Sequence, residues 1–137
     1  MRRVFADAGY WIALFNPKDV GHERARQVSS ALGPAWMVTS EMVLAELLNT
    51  FAGKGSYLRT AACAAVEKIR RNPNGEVVEM TSWAFRSGTD HYRSRSDKTW
   101  GVTDCTSFLI MDEKGIGDAL TFDRDFQQAG FRALLLE

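Results

Sequence analysis

Residues 98–112 have the sequence KTWGVTDCTSFLIMD, in which a polar loop runs into an almost wholly apolar segment. The pattern predicts a helix with Thr103 as its N-cap and Asp104 in its first turn, preceded by a bend at Gly101. Residues 108–111 are all apolar, so we expect this helix to be buried. A carboxylate at the start of a buried helix is stabilised by the helix dipole, yet it still requires water, a cation or hydrogen-bond donors. Asp104 therefore either begins a core helix or belongs to a functional site.

Short apolar runs and helical patterns alternate along the rest of the chain. The runs that predict strands are residues 3–6, 36–39, 77–80 (at a sheet edge), 119–122 and 131–136. Helices are predicted between them, one capped by Ser40, one over residues 57–71 and one capped by Thr81 or Ser82. Such alternation predicts an α/β fold with a parallel sheet and helices on both faces.

Length and composition indicate an ordinary globular protein. The 137 residues are enough for a single domain, residues 1–137, with a core that needs no disulfide or metal staple. Seventeen basic and seventeen acidic residues cancel, so any site for a polyanion must be a local patch. Cys63 and Cys105 lie in apolar helical patterns without metal-ligand spacing, and we expect reduced core residues of a cytoplasmic protein. No apolar run reaches membrane-span length, which predicts no membrane association.

Carboxylates recur where the predicted strands end. Asp7 and Asp123 each follow a strand, and the helix that begins near Asp104 should point its N-terminus to the same edge of the sheet. Clustered carboxylates repel unless a cation compensates them, and hard oxygen ligands favour Mg²⁺ or Mn²⁺. Glu46 lies away from the apolar stripe of its helix, so spacing alone favours a solvated position.

The strongest local concentration of basic residues precedes the central helix. It consists of Arg86, His91, Arg93, Arg95 and Lys98. The pattern is compatible with an ordinary solvated face or with binding of the phosphates of a nucleic acid. Together with a carboxylate-bound cation, which can activate water and stabilise a leaving oxygen, it favours cleavage of a nucleic-acid strand.

Four short motifs resemble those of PIN-domain ribonucleases and, within that family, of the VapC toxins of toxin–antitoxin modules. In chain order they are FADAGYW (5–11), SEMVLAELLN (40–49), WGVTDCTSF (100–108) and LTFDRDF (120–126). Each motif is weak alone, but four in this order and at these spacings form a specific signal that covers essentially the whole chain.

The resemblance implies a three-layer α/β/α sandwich around a parallel sheet of about five strands, and a Mg²⁺- or Mn²⁺-dependent endoribonuclease that acts on structured RNA. The residues to which it assigns catalytic roles are Asp7, Glu46, Asp104 and Asp123, with Asp7 and Asp104 as principal metal ligands. The threonines that it places beside the acids, to orient them, are Thr103, Thr106 and Thr121. Lys98, Arg95 and Arg93 are the candidate substrate-binding residues. The family also implies an antitoxin that covers the acidic pocket and a homodimer.

Two points depart from the pattern or stay open within it. Many relatives carry Ser or Asn where this chain has Gly9, two positions after the first acid, and Asp125 can replace Asp123 as the fourth acid. The alternatives to a nuclease are a PIN-like binding module without catalysis and a phospho-acceptor signalling domain. The latter requires a lysine at the end of the last strand, whereas this chain ends in LLLE.

Overall fold

The computed structural model describes all 137 residues and contains one parallel sheet of five strands. The strands are β1 (Arg2–Ala6), β2 (Ala35–Ser40), β3 (Gly75–Val78), β4 (Asp118–Leu120) and β5 (Arg132–Ala133). The helices are α1 (Ala8–Phe15), α2 (His22–Leu32), α3 (Glu41–Thr50), α4 (Ser56–Arg70), α5 (Ser82–Ser94), α6 (Val102–Lys114) and α7 (Arg124–Gln128). The predicted α/β class is confirmed, and no helix is both long and apolar enough to cross a membrane.

The sheet has the order β3-β2-β1-β4-β5, so the chain reverses its direction across the sheet after β3. Right-handed crossovers then place α1 to α4 on one face and α5 to α7 on the other, which gives the expected three layers. The reversal lies between β1 and β4, where Ala6 pairs with Leu120. In sheets of this kind the crevice beyond the carboxyl ends of those two strands is the usual ligand site.

Helix α6 is the buried element that its sequence predicts. Cys105, Phe108 and Met111 are at most 2% exposed. The ring of Phe108 packs edge-on against Phe126 of α7, with centroids 4.9 Å apart. The ring of Trp100 packs edge-on against Phe108 from the other direction, at 5.0 Å. This aromatic packing fixes the start of α6 against the carboxyl edge of the sheet.

Several boundaries agree with the sequence predictions. The hydroxyls of Ser40 and Thr81 accept from the backbone N–H groups of Val43 and Ala84, so both residues cap helices as predicted. Strand β3 lies at a sheet edge, although it spans Gly75–Val78 and not residues 77–80.

Three local predictions are wrong. The N-cap of α6 is Gly101 and not Thr103, which lies inside the helix. Residues 131–136 do not form one strand, because β5 stops at Ala133 and a 3-10 turn, Leu134–Leu136, follows. Cys63 is exposed and not in the core, since α4 turns Ala62 and Val66 inward.

Candidate metal centre

Asp7 lies at the junction of β1 and α1, where it is the N-cap residue of the helix and is only 8% exposed. The Thr121 hydroxyl donates a hydrogen bond of 2.8 Å to its Oδ2. Burial is the main cause that raises the pKa of Asp7 to about 6, and the charges of Glu46 and Asp123 raise it further. The hydrogen bonds from Thr121 and from the Ala8 backbone act in the opposite direction but are outweighed. A buried carboxylate with a raised pKa gains strongly from a nearby cation.

Asp104 is the third residue of α6, and its carboxylate turns back to the N-cap. Its Oδ2 accepts a hydrogen bond of 3.1 Å from the Gly101 N–H. Burial again dominates and raises the pKa of Asp104 to about 7, against the effect of the Gly101 hydrogen bond. The charges of Asp123, Asp7 and Asp125 add to the increase. The start of α6 is therefore part of the same electrostatic site as the end of β1.

The loop after β4 contributes the next two acids. Asp123 caps α7, and its Oδ1 accepts a 2.8 Å hydrogen bond from the Asp125 N–H. Carboxylate oxygens of Asp104, Asp123 and Asp125 all lie within 4.8 Å of one another, a separation that one metal ion can bridge. Burial and the neighbouring Asp123 raise the pKa of Asp125, while the charge of Lys98 lowers it.

Thr121 connects the two halves of the acidic site. Its hydroxyl donates to Asp7, and the same oxygen accepts a 3.0 Å hydrogen bond from the Asp123 N–H. The other two candidate threonines contact backbone instead. The Thr106 hydroxyl donates to the Val102 carbonyl, and the Thr103 carbonyl accepts from Ser107. Only Thr121 hydrogen-bonds a carboxylate of the site.

Glu46 occupies the exposed face of α3, as spacing alone favoured. Its charge nevertheless contributes to the raised pKa of Asp7, so this face borders the acidic site.

Position 9 leaves space beside Asp7. A Cβ on Gly9 would lie 3.8 Å from the Phe122 ring, which is ordinary van der Waals contact, so a small side chain would fit there.

The three candidate substrate-binding cations differ in their surroundings. Arg93 pairs with Asp90 at 3.3 Å, and Arg95 pairs with Asp97 at 3.0 Å. Lys98 forms no salt bridge, and its Nζ lies 5.8 Å from the centre of the Trp100 ring.

The Arg95 guanidinium also lies over the Trp100 ring, at 4.9 Å. Trp100 thus acts as an aromatic support for the basic loop. The sequence prediction missed this role, although the position of Trp100 between Lys98 and Asp104 is a signal for it.

The donor set fits a hard divalent cation. All the site ligands are carboxylate oxygens, which Mg²⁺ and Mn²⁺ prefer, and no histidine or cysteine joins them. Burial, and to a smaller extent the neighbouring acids, raise the pKa values of Asp7 and Asp104, so both carboxylates would gain from a compensating cation.

Comparisons with known proteins agree with the fold. A family model described as PIN domain matches residues 4–132. The 23S rRNA-specific endonuclease VapC20 from two strains of Mycobacterium tuberculosis, CDC 1551 and H37Rv, is 32% identical over 131 residues. The match covers 93% of this chain and 95% of each relative.

The same likeness holds in three dimensions. The crystal structure of M. tuberculosis VapC20, described as a Sarcin-Ricin loop cleaving toxin, matches with a TM-score of 0.82 and 30% identity. It covers 93% of this chain and 95% of that one. The resemblance to PIN domains and to VapC toxins that the four motifs predict is therefore confirmed, and this chain belongs to the PIN-domain family.

Proposed function

We propose that this protein is a metal-dependent endoribonuclease and the toxin of a toxin–antitoxin pair. The observation that carries the proposal is the acidic cluster of Asp104, Asp123 and Asp125 beside the buried Asp7, at the carboxyl edge of the sheet. The 32% identity to an RNA-cleaving relative supports RNA as the substrate class.

Within this proposal, Asp7 and Asp104 are the principal ligands of Mg²⁺ or Mn²⁺. Asp123 and Glu46 complete the acidic site, as ligands or by orienting water. A bound ion would supply Lewis-acid stabilisation of the phosphodiester and lower the pKa of a ligated water. The Thr121 hydroxyl donates to the Asp7 carboxylate and accepts from the Asp123 backbone N–H, and the Gly101 N–H donates to Asp104, so these bonds would orient the Asp7 and Asp104 carboxylates towards an ion.

Lys98 is the best candidate to hold a substrate phosphate next to the acids. It is free of ion pairs, it lies near Asp125, and Trp100 supports it. Arg93 and Arg95 must exchange their exposed carboxylate partners for phosphate, which costs little because exposed ion pairs are weak.

Structured RNA is the proposed substrate, and the ribosomal RNA of the large subunit is the first candidate because the relative is described as specific for 23S rRNA. A cognate antitoxin and a second copy of this chain are the proposed partners. An antitoxin with a basic side chain would suit the acidic site, because that charge would replace the cation in compensating the carboxylates.

The test is cleavage of total cellular RNA by the purified protein, with Mg²⁺ or Mn²⁺ and with a chelator. Asp104→Asn removes one ligand charge, and Asp112→Asn, at an exposed acid of the same helix, is the matched control. We expect cation-dependent cleavage by the parent protein and by Asp112→Asn, and none by Asp104→Asn.

Two outcomes oppose the proposal. Absence of cleavage by the parent protein with either cation would favour the binding module without catalysis. Equal cleavage by Asp104→Asn would remove Asp104 from the site.

A further inference from the structure

Helix α5 carries three exposed aromatic side chains, of which Trp83, 70% exposed, lies on a different face from Phe85 and Tyr92. Phe85 is 50% exposed and Tyr92 is 55% exposed, although most large apolar residues of the chain are buried. Seven residues, or about two helical turns, separate them, so they lie on one face about 10 Å apart along the helix. Gly88, three residues after Phe85 and four before Tyr92, is buried against Thr106, so the two aromatic side chains flank the side of α5 that packs on α6.

Phe85 and Tyr92 are each followed by an arginine, so a cationic row runs beside the aromatic one. Arg86 forms no salt bridge, and Arg93 pairs only with Asp90. The side chains of that pair are 76% and 72% exposed, so solvent screens it and a phosphate can compete for the arginine. We call the four residues Phe85, Arg86, Tyr92 and Arg93 the α5 ridge.

The α5 ridge leads towards the acidic site. Helix α5 ends at Ser94, and the following loop passes Lys98 before α6 begins. Lys98 lies close enough to the acids for its charge to lower the pKa of Asp125. A polyanion that follows this path meets cations along the helix and then at the mouth of the carboxylate cluster.

We propose that the α5 ridge binds an unpaired segment of the RNA substrate, with bases stacked on Phe85 and Tyr92 and phosphates held by Arg86 and Arg93. The proposal rests on the proposed ribonuclease function and adds a substrate contact outside the metal site. Aromatic side chains interleaved with cations are the usual surface for single-stranded nucleic acid, because every base has a face that can stack.

Charge favours RNA over a second copy of this chain as the occupant. A two-fold contact through the ridge would bring the same cationic rows together, with Asp90 as the only carboxylate between them on the helix. The chain as a whole has no net charge, so the surplus of positive charge here is local.

The test measures RNA binding by Asp104→Asn protein, which is used so that the probe survives. The probes are a labelled poly(A) oligoribonucleotide and an RNA duplex. Phe85→Ala and Tyr92→Ala should each weaken binding of the single strand by roughly tenfold, with a smaller effect on the duplex, whose bases are already paired. Phe85→Tyr and Tyr92→Phe should restore it, and Tyr57→Ala, at a tyrosine 83% exposed on α4, should bind as the parent does.

The arginines are tested by the salt dependence of the same binding. The slope of log affinity against log salt is negative, and Arg86→Gln and Arg93→Gln should each reduce its magnitude by about 0.7. Arg26→Gln is the matched control, because Arg26 forms a comparable exposed pair with Glu23 three residues away, at 3.4 Å. This control should leave the slope unchanged.

Three results would overturn the proposal. The first is unchanged single-strand affinity in Phe85→Ala and Tyr92→Ala while the parent binds RNA, which leaves the ribonuclease function intact. The second is an affinity loss that accompanies a change from dimer to monomer in sedimentation, which would assign the ridge to contact between copies. The third is failure of the parent to bind or cleave any RNA, in which case the proposed function fails as well.

Discussion

At the scale of single residues, the acidic site is built from helix starts. Asp7 and Asp123 are N-caps of α1 and α7, and Asp104 lies in the first turn of α6. The positive end of a helix dipole stabilises a carboxylate there. The pKa values of Asp7 and Asp104 are raised nevertheless, so burial and mutual repulsion outweigh the dipoles. A cation would offset the cost of ionising these buried, neighbouring carboxylates.

The burial of these acids, with the added repulsion between them, predicts how stability depends on pH in the metal-free protein. The pKa of Asp7 is raised from 3.8 to about 6 on folding, so the folded state binds more protons than the unfolded state between those values. The free energy of unfolding should therefore fall as pH rises from about 4 to about 6, by on the order of 2 kcal/mol from Asp7. Asp104, with a pKa of about 7, should extend the decline to near pH 7.

Urea unfolding at a series of pH values, with a chelator present, measures this decline. Asp7→Asn should flatten it, because asparagine carries no charge and can still accept the Thr121 hydrogen bond. A free energy of unfolding that rises through this pH range would contradict the account of Asp7 as a buried, repelled acid.

Activity should change with pH in the opposite direction. Metal binding requires ionised carboxylates, so cleavage at subsaturating Mn²⁺ should increase as pH rises through about 6 to 7 and then level off. Initial rates across this range check the prediction, with saturating Mn²⁺ as the control because excess metal displaces the protons. A rate that is independent of pH at low metal would oppose it.

The choice between Asp123 and Asp125 as the fourth acid also belongs to this scale. Asp123 is linked to Asp7 through Thr121, and its charge acts on Asp7. We therefore expect Asp123→Asn to reduce cleavage by at least about tenfold and Asp125→Asn to reduce it less. Asparagine at position 123 can still cap α7, so thermal unfolding should change little. A larger loss in Asp125→Asn would reverse the assignment.

The positions of the carboxylates at one edge of the sheet could be predicted from sequence, but the contacts of the side chains around them could not. Strand ends and motif order identified Asp7, Asp104 and Asp123, because the carboxyl ends of parallel strands meet at one edge. Spacing placed Glu46 on a solvated face and could not indicate that this face borders Asp7. The pairing of Arg93 and Arg95 with Asp90 and Asp97 depends on side-chain conformations that a basic run does not specify.

At the scale of elements, the close packing of α5 on α6 sets the position of Asp104. A Cβ on Gly88 would lie 2.4 Å from Thr106 Oγ1, two residues beyond Asp104 along α6. Thr106 is held in place by its hydrogen bond to the Val102 carbonyl. Glycine at position 88 thus permits the approach of two helices, one of which carries the site.

Gly88→Ala should therefore destabilise the protein by about 1 to 3 kcal/mol, despite the higher helix propensity of alanine, because it overpacks this contact. In a Thr106→Ala background the nearest atom is gone, and Gly88→Ala should be neutral or stabilising by up to about 1 kcal/mol. Urea unfolding of the four proteins in this double-mutant cycle measures the coupling. Equal effects in both backgrounds would show that the contact does not limit the packing.

The sequence predicted whether a segment is a helix or a strand more accurately than it predicted where that segment ends. The apolar runs predicted β1, β2 and β4 because buried parallel strands are apolar on both faces. The run at residues 131–136 is apolar too, and nothing in its pattern distinguishes a strand from the short strand and 3-10 turn that form. Thr103 resembled an N-cap, but the Asp104 carboxylate satisfies the Gly101 N–H and the helix begins earlier.

At the scale of the whole molecule, the strand order brings acids that are distant in sequence together in one site. Asp7 and Asp123 are distant in sequence, and they meet because β1 and β4 are neighbours at the point where the sheet reverses direction. A bound divalent ion would tie β1, α6 and the loop after β4 together. Since it binds only the folded state, it should also stabilise the fold.

The central claim is that these carboxylates form a divalent-cation site, and its most direct test is a titration of the metal-free protein with Mn²⁺ near pH 7.5, followed by the loss of the free-ion EPR signal. The account predicts saturable binding by the parent protein and by Asp112→Asn, and binding at least about tenfold weaker in Asp7→Asn and Asp104→Asn. Equal Mn²⁺ affinity in all four proteins, or no saturable binding in the parent, would contradict it.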